Sequence, residues 1–143
     1  MQTKTSSWLN VAIGFQFLTA AIHSLSFLNK MKGQNEKEKQ LIDLMDNYKL
    51  DWGSGFHRSM SEIFIAVSLC FTLIFLMGAL INLYLTRKHA SAELVKDIVG
   101  IQTLIFGAVF LGTVFFAFLP PIICAGIVFL LLTVSYFRLK TSK

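Results

Sequence analysis

The chain carries four blocks of nearly uninterrupted apolar sequence, each close to the ~20 residues a helix needs to cross the hydrocarbon core of a bilayer. They run from Trp8 to Leu28, from about Met60 to Leu85, from about Ile98 to Phe118 and from Pro121 to about Phe137. A helix at the edge of a soluble core keeps a polar face, whereas a helix surrounded by lipid needs none. The expected fold is therefore all-α: a four-helix transmembrane bundle, one four-span domain over residues 1–143, with an amphipathic helix in its first loop. Composition agrees with that reading. Only 15% of the residues are charged, against about 25% in an ordinary soluble domain.

The first block has a competing interpretation. Lys4, the apolar stretch after it, and the small residues Thr19 and Ala21 make a weak cleavage-site pattern of the kind signal peptides carry. Apolar character resumes through Leu25, Phe27 and Leu28, and a single Lys is a thin basic flank, so a retained span is the better reading.

The last two blocks are joined by Leu119, Pro120 and Pro121, which predicts a tight antiparallel pair with an uncharged tip. The second and third are joined by Thr86 to Asp97, a segment that includes Arg87, Lys88, His89, Glu93 and Lys96. The long connection, Asn29 to Ser59, is the most polar part of the chain. Within it, Leu41, Ile42, Leu44, Met45 and Tyr48 recur at helical spacing, opposite Lys37, Gln40, Asp43 and Asp46. That pattern predicts an amphipathic helix at about residues 36–48, lying on a membrane surface, capping the bundle, or serving as a lid or docking surface. The run from Asp51 to Arg58, with Trp52 and two glycines, reads as an interfacial re-entry segment with Trp52 at headgroup level.

The net charge of +5 does not point to nucleic acid, because the cations flank apolar blocks and form no stripe on a folded surface. The same cations set an orientation. Lys4, Arg87, Lys88, Lys96, Arg138, Lys140 and Lys143 share one side of a four-span topology. Lys30, Lys32, Lys37, Lys39, Lys49 and Arg58 share the other. Only cations near the spans count strongly, which discounts Lys37, Lys39 and Lys49 and puts both termini in the cytoplasm. Cys70 and Cys124 lie inside apolar blocks without redox-motif spacing and read as small hydrophobes.

The candidate polar site gathers around the first block. Gln16, Thr19, His23 and Ser26 step by three, four and three residues and share one helical face, which should turn toward neighbouring helices or a cavity. His23 lies five residues before the end of its block, about 7 Å deep at 1.5 Å per residue. The second block opens with His57, Arg58, Ser61 and Glu62. Antiparallel threading then predicts that His23 and Glu62 face each other in the outer third of the bundle, with Arg58 and Glu62 paired one turn apart. The bland alternative has Arg58 neutralising Glu62 while His23 donates to the backbone. Residue types alone would allow a metal at His23, Asp51, His57 and Glu62, but no HxxxH or HExxH spacing supports one, and neither metal nor cofactor is expected. Ser54 between two glycines reads as a turn, not a nucleophile. Ala108 with Gly112, and Thr113 with Ala117, form small-xxx-small steps that permit close helix approach. Asn82 reads as a residue that caps or bonds.

Four spans with a histidine near the end of the first resemble the small bacterial inner-membrane proteins grouped as DoxX-like. Ile22-His23-Ser24 and Arg58-Ser59 resemble the end of helix one and the start of helix two in further four-helix membrane families. The resemblance implies a bacterial inner membrane. The arginine that DoxX-like proteins carry early in helix one is absent, since Lys4 is the only Lys or Arg before Lys30.

Three functions compete on these residues. One is a binding or accessory membrane protein whose polar pocket near the outer surface takes a lipid-like small molecule or a partner helix; its other expected partners are the lipid bilayer and, as a homo-oligomer, further copies of itself. Another is a membrane enzyme acting on a lipid, sterol or isoprenoid, with His23 and Glu62 as an acid–base pair. The third, a small proton-coupled exporter, is disfavoured because the first block contains no acidic residue.

Overall fold

The computed structural model describes residues 7–25, 27 and 32–139. In chain order the elements are α1 (Ser7–Leu25), α2 (Glu36–Asn47), β1 (Lys49–Asp51), β2 (His57–Ser59), α3 (Met60–Arg87), α4 (Ala92–Phe116) and α5 (Leu119–Arg138). The fold is all-α, and α1, α3, α4 and α5 are long and apolar enough to cross a membrane.

Local chemistry explains where the helices begin, and in two places it moves the expected boundary. α4 starts at Ala92, six residues before Ile98. Ser91 caps it, accepting a hydrogen bond from the Leu94 N–H at 3.3 Å, and Glu93 complements the positive end of the helix. Polar residues assigned to a loop on hydropathy alone thus form the first turns of a helix. α5 starts at Leu119 with both prolines in its first turn, where a missing N–H leaves no helical bond unmade. α2 is capped by Asn35, whose side chain accepts from the Glu38 N–H at 3.0 Å, while the Glu38 carboxylate accepts from the Gln34 N–H at 2.6 Å.

The chain divides into two compact units, residues 1–19 with 75–143, and residues 20–74. In the first unit, α4 and α5 meet by fitting aromatic rings against glycines. A Cβ on Gly100 would come within 3.0 Å of the Tyr136 ring, one on Gly107 within 3.1 Å of Phe129, and one on Gly126 within 3.0 Å of Phe110. The partners run in opposite sequence order along the two helices, so the pair is antiparallel. Lys96 lies 5.2 Å from the centre of the Tyr136 ring, within cation–π range. These contacts, and not the Ala108–Gly112 step, make the close approach. Ala108, Gly112 and Ala117 are exposed. The first unit's apolar core includes Leu9, Phe75, Val99, Phe106, Val128 and Leu132, with Phe75 and Phe106 packed edge to face, centroids 5.0 Å apart.

The second unit holds the end of α1, α2, the two strands and the start of α3. The strands were not expected. The stretch read as a re-entry segment is an antiparallel hairpin pairing Lys49 with Ser59, Leu50 with Arg58 and Asp51 with His57. Its turn is built from three successive left-handed residues, Gly53 (φ 85°), Ser54 (φ 53°) and Gly55 (φ 81°). Two glycines make that run accessible, and the Asp51 carboxylate secures it by accepting from the Gly53 N–H at 2.8 Å. The ladder continues to the tip, where the Trp52 N–H donates to the Phe56 carbonyl at 2.9 Å.

Candidate functional site

Polar side chains of different long apolar helices meet in two places, one in each unit. In the first unit, three carboxamides from three helices converge: Gln16 of α1, Asn82 of α3 and Gln102 of α4. Gln16 and Asn82 are 0% exposed and Gln102 is 6% exposed. Asn82 and Gln102 bond reciprocally, Asn82 Nδ2 to Gln102 Oε1 at 2.8 Å and Gln102 Nε2 to Asn82 Oδ1 at 3.1 Å. Gln16 joins at longer range, donating to Gln102 Oε1 at 3.5 Å and accepting from Asn82 Nδ2 at 3.4 Å. Each amide supplies donors as well as an acceptor, which is why three neutral groups can satisfy one another without water or charge.

Room for this cluster comes from Gly78, one turn before Asn82 on α3. A Cβ there would sit 2.5 Å from Gln16 Nε2, 3.2 Å from the Phe106 ring and 3.3 Å from Gln102 Oε1. Thr19, one turn further along α1, is also buried, and its hydroxyl has no hydrogen-bond partner among the described residues.

In the second unit His23 occupies the last turn of α1, half-buried, with Nδ1 2.9 Å from the Thr72 hydroxyl. Its ring packs against Phe71 (centroids 4.9 Å apart) and edge-on to Phe27 (5.9 Å). The expected facing of His23 and Glu62 is not formed. Thr72 lies ten residues beyond Glu62 on α3, a separation of about 15 Å along a helix axis. Antiparallel threading was expected to set the end of α1 level with the start of α3. His23, in the last described turn of α1, instead meets α3 at Thr72, twelve residues after that helix begins at Met60.

Glu62 instead closes the start of α3. Its carboxylate accepts from the Ser59 N–H at 2.8 Å, and the Ser59 hydroxyl accepts from the Glu62 N–H at 3.2 Å. This reciprocal pair is a capping box, signalled in the sequence by Ser59-Met60-Ser61-Glu62 ahead of an apolar run. Arg58 Nη1 is 3.8 Å from Glu62 Oε1 with both side chains solvent-accessible, a loose surface pair. The Ser61 hydroxyl donates to the Asp46 carboxylate, tying α2 to the first turn of α3. His57 is exposed on β2, and Ser26 lies outside the described residues.

The seven candidate residues therefore do not form one cluster. Arg58, Ser61 and Glu62 share the start of α3, His23 meets Thr72 further along it, and Gln16 belongs to the amide cluster. Gln102 was missed, although a glutamine in mid-span is itself a signal, because an amide there must find polar company. Among the described residues, no three His, Cys, Asp or Glu side chains converge as a metal-binding group. Cys70 and Cys124 are free thiols. Comparison with protein-family models, with curated proteins and with solved structures gives no match for this chain.

Proposed function

We propose that this chain is a multi-pass membrane protein that acts by binding, as an accessory subunit taking a partner helix. What carries the reading is the chemistry of the buried polar groups. The amides of Gln16, Asn82 and Gln102 are neutral and bonded to one another. Groups that relay protons or perform acid–base steps inside a membrane are ionisable. The enzyme alternative relied on His23 and Glu62, and that pair is not assembled.

The face of α4 that carries Ala108 and Gly112 supports a helix as occupant. Both are exposed, and a Cβ on Gly112 would meet nothing within 4 Å, so a partner backbone can approach closely. The simplest partner is a second copy of the chain. A lipid-like small molecule is the second reading, favoured by the half-buried His23 and its two aromatic neighbours, Phe27 and Phe71.

Native mass spectrometry from mild detergent separates the two. The partner-helix reading expects a dimer or a complex with another chain, lost in Gly112→Leu. A monomer carrying a lipid-sized adduct that His23→Ala removes would select the second reading. A bare monomer would overturn both.

The orientation that goes with this proposal has both termini cytoplasmic, from the cations flanking the spans. Topology reporters fused at Lys143 and at Leu119 should give opposite signals, the former cytoplasmic. An external signal from Lys143 inverts the topology.

A further inference from the structure

The segment before α3 exposes large apolar side chains in two places. On α2, Ile42 and Met45 are partly covered, but Leu41, Leu44 and Tyr48, spaced by three and four on one face, are open. On the hairpin, Trp52 and Phe56 stand opposite each other one step beyond the Asp51–His57 pair, so they project from the same face of the ribbon. All five are between 54% and 62% exposed.

Two contacts fix the level of these faces relative to α3. The Ser61–Asp46 hydrogen bond holds α2 beside the first turn of that helix. The Trp52 indole N–H donates to the Arg58 carbonyl at 3.4 Å, and Arg58 is two residues before Met60. α3 turns apolar from Ile63 onward, with Phe64, Ile65 and Val67 exposed. Trp52, Phe56, Leu41, Leu44 and Tyr48 are thus tethered where an apolar helix begins. Tryptophan and tyrosine concentrate at that level because their rings are apolar and their N–H or O–H needs a polar partner.

We propose that α2 and the hairpin form an interfacial anchor, inserting these five side chains into the headgroup layer of the bilayer that α3 crosses. The proposal rests on the membrane reading above. The occupant is the lipid surface, and charge does not drive the contact. Between Lys32 and Ser59, five Lys and Arg residues balance five Asp and Glu residues, so anionic lipid offers this segment no net attraction.

The protein has two tryptophans, Trp8 and Trp52, so single replacements isolate each. Full-length Trp8→Phe, reconstituted in phosphatidylcholine vesicles, should show blue-shifted Trp52 emission. That emission should be quenched by phosphatidylcholine brominated high in its acyl chains and protected from aqueous iodide. Trp52→Phe, which leaves Trp8 on α1, reports on the spans. If Trp8 is quenched by bromolipid and Trp52 by iodide alone, the anchor is wrong and the membrane reading stands. If neither is quenched by bromolipid, both fall. Quenching of Trp52 that requires added phosphatidylglycerol also overturns the proposal, since insertion would then be driven by charge.

Discussion

Gly78→Leu should prevent stable folding, seen as loss of the cooperative thermal transition in detergent, and Gly78→Ala should lower its midpoint. The reason is a single point of close approach. The alanine methyl would fall 2.5 Å from Gln16 Nε2 and press on Phe106 and Gln102. The Gln16 end group is flexible enough to move, but it is fully buried and moving it breaks the bonds it makes to Asn82 and Gln102. Overpacking of this kind costs about 1–3 kcal/mol, which outweighs the roughly 1 kcal/mol that alanine gains over glycine in a helix. The effect should depend on Gln16. In a Gln16→Ala background the shortest contact is gone, and Gly78→Ala should become neutral or stabilising. A midpoint drop that is the same with and without Gln16 would mean that Gly78 does not make room for the amide cluster.

Gln102→Leu should be the most damaging single change within the cluster itself. Gln102 takes part in three of its four hydrogen bonds, leaving only the 3.4 Å bond from Asn82 to Gln16. Interhelical side-chain bonds in membranes average about 0.6 kcal/mol each, so their loss amounts to roughly 2 kcal/mol. A buried Asn82 carbonyl deprived of its donor adds about 1–3 kcal/mol. Replacing all three amides by leucine should hurt less than the single replacements summed, because no amide of the cluster is then left buried without its partner. Denaturant titration of the four variants in mixed micelles measures this directly. Strict additivity would show that the three amides act separately and that the bonding among them is energetically idle.

Both outcomes bear on function. If the cluster only holds the helices together, its variants lose stability while the proposed docking of a helix against Ala108 and Gly112 of α4 is unaffected in whatever protein remains folded.

The all-α class, the four candidate spans and the amphipathic α2 were legible in the sequence, because apolar block length and helical periodicity are properties of the chain itself. So was the inward turn of Gln16 and Thr19, since a polar stripe on an apolar helix has only one favourable direction. The capping role of Glu62 was also encoded locally, in the spacing Ser59 to Glu62, although charge and depth drew attention to His23 instead. Other features depended on tertiary structure. Which residue His23 meets is set by how far α1 and α3 each extend, and no periodicity reports an offset between helices. That Gln16, Asn82 and Gln102 share one point depends on three helices crossing there, with Gly78 leaving the space. Whether a small-residue step is buried or open depends on which face of α4 receives the rings of α5. Gly100 and Gly107 take that contact and leave Ala108 and Gly112 exposed.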